Sequence, residues 1–365
     1  TLRADHFLVK ELANDEFLFE VPLHRIDIDG EADISEELIR LRGYENVVST
    51  LPETKLVLQG RTPKQKLKLA IRRYLRANGL DEVLTYTLVS EEANKRFAYL
   101  ENAEAYSLLN PLTEQRKLVR RNLGASLLEV ASYNVDRGNK DLAFFEISDV
   151  DPMEKKGLHL CLMLVGNKQE QGYLKQTPYD FYDLKGYLEG ILEILGLGKN
   201  RYQILPWDLG GEEFHPGKSA KLCLGKTLLG VFGELHPSLL EACGFKNACL
   251  LELDLAALLD LKSSQPKASI PPRFPAVSRD LAFLIDEKVA YADIEKALKR
   301  SDALLKEVQV FDVYQGAMIL PGKKSVAVHL LYLDETKTLK DEEVAAAVKK
   351  AVLALQTSFG AEIRS

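Results

Sequence analysis

The first fifty residues carry apolar and polar positions in two strand-like runs, FLVKEL (7–12) and EFLFEVP (16–22), and then pass into an acidic stretch that reads as a helix with Gly43 as its C-cap. After a linker the period changes. In PKQKLKLAIRRYLRAN (63–78), Leu67, Ile71, Tyr74 and Leu75 fall on one helical face, and Gly79 supplies the stop. DEVLTYTLVS (81–90) follows as a strand, and 108–150 reads as turn, helix, turn and strand. A second amphipathic helix, FYDLKGYLEGILEILGL (181–197), is entered after Asp183 on this reading and ends near Gly196 or Gly198. Residues 213–245 and 250–259 then alternate short strands and turns before a helix.

Ser and Pro accumulate in SSQPKASIPPRFP (263–275), which marks a boundary. Beyond it come a strand (277–286), a helix (291–300), two strands (304–316 and 323–333), a helix (340–359) and a short final strand (361–365). That order, βαββαβ, is the ferredoxin-like split unit. The pattern therefore predicts an α+β protein with three regions: a small unit over 1–53, an antiparallel sheet with flanking helices over 60–265, and the ferredoxin-like domain over 273–365.

With 365 residues, 46% apolar and 28% charged, the chain has material for two or three buried cores. No run of some 18 apolar residues is present and the first residues are not those of a signal peptide, so the expectation is a cytoplasmic protein with no membrane partner. Cys161, Cys223, Cys243 and Cys249 lack C-x-x-C spacing, which argues for buried, reduced thiols. The histidines are dispersed, and His215 and His236 each precede a proline, as expected of loops and strand ends. A formal charge of −6 does not advertise nucleic-acid binding, yet residues 273–365 hold 14 Lys/Arg against 14 Asp/Glu, net zero against −6 for the entire chain.

Candidate chemistry concentrates in HRIDIDGEADISEELIRLRGYENV (24–47). Asp33 reads as an N-cap with Glu36 and Glu37 three and four positions on, and Asp27 ends the preceding strand. Carboxylates this close repel one another and call for a compensating cation, either a neighbouring arginine or a divalent metal, for which oxygen ligands favour magnesium. The plainer reading of Asp33 with Glu36 is a capping box whose acids complement the helix dipole.

This segment resembles the B5 domain of the beta subunit of bacterial phenylalanyl-tRNA synthetase. Further on, Asn110-Pro111, Arg120-Arg121, Asn134, Arg137-Gly138, Phe145-Glu146-Ile147, His215-Pro216-Gly217 and Gly233-Glu234-Leu235-His236-Pro237 resemble the class II synthetase-like core of that subunit. PPRFPAVSRDLAFLID and FDVYQG, with the K-S-V-A-V strand, resemble its ferredoxin-fold anticodon-binding domain. The likeness covers nearly the whole chain and is weakest over about 150–180, where VDPMEKKG is shorter than the family pattern. The family's B5 unit extends further upstream, and its OB-type and editing domains have no counterpart here, so the sequence reads as a C-terminal fragment.

A class II active site needs arginines that grip ATP phosphates, one beside a long strand pair and one opening a Gly-rich helix. VFGELHPSLLEACGF has no such glycine run, and LAFFEISDV lacks an Arg-x-Glu signature. Arg120, Arg121 and Arg137 are the nearby arginines, with helix-start or interface roles as the plainer reading. No catalytic residues are expected.

The resemblance implies a magnesium site of Asp27, Asp33, Glu36 and Glu37 shared with an alpha subunit, which itself binds ATP and activates phenylalanine. It also implies an assembly of two alpha and two beta subunits and binding of tRNA(Phe). Arg273, Arg279, Lys323 and Lys324 are the candidate phosphate contacts, whereas Phe311 and Tyr314 read as core or rim residues. Rival readings are a stand-alone RNA-binding or regulatory paralogue and an autonomous enzyme.

Overall fold

The computed structural model describes residues 7–55, 60–100, 104–151, 153, 157–168, 176–207, 211–262, 271–316 and 319–364. Part of the expected boundary (263–270) and residues 152 and 154–156 of VDPMEKKG lie outside them. The chain divides into two compact units, Thr1–Leu195 with Lys199–Leu261, and Gly196–Gly198 with Lys262–Ser365.

The first unit opens with β1 (Leu8–Glu11), β2 (Phe17–Glu20) and α1 (Glu31–Arg42). Next come α2 (Pro63–Ala77), β3 (Asp81–Glu82), β4 (Leu88–Val89), α3 (Glu91–Lys95), β5 (Leu118–Val119) and α4 (Gly124–Val135). They are followed by β6 (Leu142–Val150), β7 (Gly157–Val165), α5 (Phe181–Ile194), β8 (Gln203–Pro206) and β9 (Phe214–Leu224). The unit closes with β10 (Thr227–Leu235), α6 (Pro237–Ala242), β11 (Ala248–Asp254) and α7 (Leu255–Asp260).

Local chemistry sets the helix ends. Thr62 caps α2 by accepting the Gln65 N–H at 3.2 Å while the Gln65 side chain accepts the Thr62 N–H at 2.9 Å, and Gly79, at φ +85°, turns the chain out. Helix α5 starts three residues earlier than its pattern suggested. Asp180 is the cap, accepting from Tyr182 and Asp183, and Asp183 is the third helical residue, whose carboxylate reaches back to the Asp180 N–H. The strand expected over 81–90 is broken into β3 and β4, which belong to different sheets.

Seven strands form the central sheet in the order β3-β6-β7-β11-β10-β9-β8. Every neighbouring pair is antiparallel except β3 with β6, so the sheet is mixed at that edge. The side-chain period of two splits β7 between faces. Cys161, Met163 and Val165 pack with Leu127, Leu128 and Ala131 of α4, whereas on the other face Phe232 stacks on Phe181 of α5 at 5.0 Å. The cysteines are unpaired, and Cys161, Cys223 and Cys249 are buried.

Unit two is the predicted βαββαβ: β12 (Val277–Asp286), α8 (Tyr291–Ser301), β13 (Leu305–Tyr314), β14 (Lys323–Tyr332), α9 (Asp341–Phe359) and β15 (Glu362–Ile363). Its strands pair antiparallel in the order β13-β14-β12-β15, the ferredoxin-like arrangement. Ile294 and Leu298 of α8 and Val344, Ala347, Ala351 and Leu355 of α9 bury against Phe283, Val328 and Leu330 of the sheet. No described helix is long and apolar enough to cross a membrane.

Candidate functional site

The acidic segment folds around an arginine. Gly30, not Asp33, is the N-cap of α1, and Asp33 sits three residues inside, where its Oδ2 accepts the N–H groups of Asp29 and Gly30, both at 2.9 Å. Arg25 donates to Asp27 through Nε at 2.9 Å and Nη2 at 2.6 Å, and the same Nη2 reaches Glu37 Oε1 at 2.6 Å. Arg40 donates to Glu37 Oε2 at 2.5 Å. The Arg25 guanidinium holds the Asp27 carboxyl down at about 2, and Arg25 and then Arg40 lower Glu37 as well.

Glu36 is exposed, Asp33 is spent on the helix start, and Asp27 and Glu37 face guanidinium groups. Among the described residues no group of three or more His, Cys, Asp or Glu is placed to hold a metal ion. The four carboxylates as arranged do not fit magnesium, which needs six oxygens in near-octahedral geometry.

A second polar set lies at the heart of the central sheet. Glu146 on β6, Cys161 on β7 and Glu252 on β11 are register partners in one row, on the face that α4 covers. Arg120, 3% exposed, donates to Glu146 Oε1 at 2.9 Å and to Thr85 Oγ1 at 2.5 Å, and the Thr85 hydroxyl donates to Glu146 Oε2 at 2.7 Å. Glu252 accepts the Leu123 and Gly124 N–H groups at 2.9 and 3.1 Å, and His159 Nδ1 lies 2.7 Å from its Oε1. A carboxylate from a distant strand thus caps α4, whose own N-cap, Leu123, has no side chain able to do so. Burial, with Glu252 and Glu146 on either side, pushes the Cys161 thiol well above its usual range and keeps it protonated.

Periodicity did not single out His159 or Glu252. Their signal was present all the same: a histidine in GLHLCLMLV and a glutamate in LLELDL interrupt otherwise apolar strands. The other arginines are engaged too, with Arg121 Nη2 donating to the Asn94 carbonyl at 3.0 Å and Arg137 lying 3.3 Å over the Tyr133 ring.

Beside the small β4-β5 sheet several large apolar side chains face solvent. Leu84 and Tyr86 precede β4, and the loop that returns to β5 carries Leu109 and Leu112, which are 97% and 100% exposed. The two segments are tied together by the Leu108 N–H to the Lys117 carbonyl, the Lys117 N–H to the Val89 carbonyl, and Arg116 over the Tyr86 ring at 4.8 Å.

In the second unit, Arg279 pairs with Asp341 at 3.0 Å and Lys323 with Glu362. Lys324 donates to the Glu287 and Val289 carbonyls at 2.9 and 2.7 Å, and burial lowers its ammonium. Arg273 is exposed ahead of β12. Phe311 and Tyr314 lie on β13 with their rings open to solvent, at the rim rather than in the core.

Three family models tile the chain: a tRNA synthetase B5 domain over residues 1–44, the phenylalanyl tRNA synthetase beta chain CLM domain over 47–255, and a ferredoxin-fold anticodon binding domain over 272–364. These place the molecule in the class of tRNA synthetase chains. The CLM match alone spans more than half of the residues, and the chain belongs to the phenylalanyl tRNA synthetase beta chain family. It is 37% identical to the phenylalanine–tRNA ligase beta subunit of Syntrophotalea carbinolica, over 98% of this chain and 45% of that one. The beta subunits of Geobacillus kaustophilus and Bacillus subtilis are 37% and 36% identical, each over 96% of this chain and 44% of theirs. The chain therefore spans a little under half the length of the relatives it matches. The pyrrolysyl-tRNA synthetase of Desulfitobacterium hafniense overlaps 62% of this chain and 74% of its own at 16% identity with a TM-score of 0.42, too loose a match to carry weight.

Proposed function

We propose that this chain is a non-catalytic part of a phenylalanine–tRNA ligase, which docks an alpha subunit and helps to hold tRNA(Phe) during ATP-dependent aminoacylation. The observation that carries the reading is the exposure of Leu84, Tyr86, Leu109 and Leu112 on two segments tied to each other, since large apolar side chains left this open close together mark a protein contact. ATP, its magnesium and phenylalanine are bound by the partner on this reading, in an assembly of two alpha and two beta subunits. The engagement of Arg120 with Glu146, of Arg121 with Asn94 and of Arg137 with Tyr133 supports the absence of chemistry here, because a phosphate-gripping arginine must be free to reach its ligand. In the ferredoxin-like domain, Arg273 is the best placed of the expected phosphate contacts. Arg279, Lys323 and Lys324 would first have to leave their present partners.

Two measurements test the proposal. The chain alone is expected to give no phenylalanine-dependent ATP–pyrophosphate exchange, and clear exchange would overturn it. Co-expressed with the alpha subunit it should be recovered as a complex, and Leu109→Asp with Leu112→Asp should abolish that recovery while changing unfolding stability by only about 0.5 kcal/mol. Undiminished recovery of the double variant would remove the docking surface from the account.

A further inference from the structure

Residues 1–44 hold eleven Asp/Glu and five Lys/Arg, so the −6 of the whole chain is the charge of this segment alone. At its centre the negative charge is answered from within. Both oxygens of Asp27 and both of Glu37 accept hydrogen bonds from guanidinium groups, and Asp33 Oδ2 is committed to two backbone N–H groups. Arg25 is anchored from above as well, its guanidinium lying 5.7 Å from the ring of Phe7, which is itself buried in the small core with Ile28 and Ile34.

We infer that Arg25 is the resident cation of this cluster, a guanidinium latch that occupies the place a divalent ion would need between Asp27 and Glu37, so that latch and metal exclude one another. The planar fork suits the task. It meets Asp27 with two parallel hydrogen bonds and still reaches Glu37, which a single ammonium does not reproduce. Magnesium at the same carboxylates would require both to release Arg25 and to approach a common point at about 2.1 Å. The latch ties the residues ahead of α1 to the middle of that helix, across twelve positions of sequence.

The test is magnesium titration of the full chain by calorimetry, with thermal unfolding as an independent readout. The unaltered protein is expected to take up no Mg2+ at millimolar concentration and to unfold at the same temperature with and without it. Arg25→Gln should gain about tenfold or more in Mg2+ affinity, with an unfolding temperature that now rises with Mg2+, and adding Glu37→Gln should remove both effects. Uptake by the unaltered protein that Arg25→Gln leaves unchanged would overturn the inference. Absence of uptake by both proteins would overturn it too, since Arg25 would then not be what keeps the ion out. Should Arg25→Gln fail to fold, the Arg25 Nε–H resonance of the unaltered protein decides: it should stay in place as Mg2+ is added, and its loss would refute the latch.

Discussion

Asp27 and Glu37 of the B5 region and Glu146 and Glu252 of the central sheet are the same chemical groups in different solvents. Both pairs meet arginine or histidine at 2.6–2.9 Å. Around Asp27, 59% of the side chain remains open to water, whereas Glu146 and Glu252 are at most 1% exposed. Water screens the Asp27 side of the first cluster, though Glu37 keeps only 12% of its side chain open, so its arginines order a local segment and add less to global stability than a fully buried pair. The second is shielded from bulk solvent, so each charge there depends on its buried partners. The first is a device that arranges a surface, and the second one that holds a core closed.

Removing one partner from the core set should have the largest effect. Glu146→Ala leaves the Arg120 guanidinium buried with only the neutral Thr85 hydroxyl and Tyr86 carbonyl as partners and is expected to cost about 3–5 kcal/mol in urea unfolding. Arg120→Met combined with Glu146→Leu should recover most of that loss, because the pair is then absent rather than broken. If Glu146→Ala costs less than about 1 kcal/mol, the distinction between the buried and the exposed clusters fails.

Glu252→Ala comes next, at about 2–4 kcal/mol, since it strands the Leu123 and Gly124 N–H groups and the His159 ring at once. Its effect should be concentrated in α4. Faster hydrogen exchange in residues 124–135, with β12–β15 unchanged, would confirm that Glu252 acts as the cap of that helix. Uniform loss of protection through the first unit would instead make it one more member of the core.

These two regions were also unequally legible in the sequence. The periodic elements could be read: α2 from Ile71 and Leu75 with Gly79 as its stop, and the whole βαββαβ order of the second unit. Partners set by tertiary structure could not, because pairing Glu252 with the start of α4 depends on sheet order across about 130 positions of sequence. In the acidic segment, spacing posed the right question, which cation answers the carboxylates, and favoured a capping box while leaving arginine and metal both open. Asp33 shows the limit most simply. One residue type suits both the cap and the third helical position, and only the backbone at Gly30 separates them.

The smallest expected effect is local and depends on pH. Arg25 holds Asp27 at about 2, and Glu37 is lowered in the same direction, so the folded state binds protons less readily at these groups than the unfolded chain does. Their contribution is fully present above the ordinary carboxylate range of about 4, and it is lost as the pH falls from there toward about 2. Hydrogen exchange of the α1 amides, corrected for its intrinsic pH dependence, should therefore quicken across that window, and Arg25→Gln should show the quickened rate already at neutral pH. Salt should mimic acid in part, since the Asp27 carboxylate is open to solvent, while the Arg120–Glu146 pair should be indifferent to it. Exchange in α1 that ignores acid, salt and Arg25→Gln alike would mean that Phe7, Ile28 and Ile34 hold the segment by packing alone, and the arginine would then be a consequence of the fold rather than one of its supports.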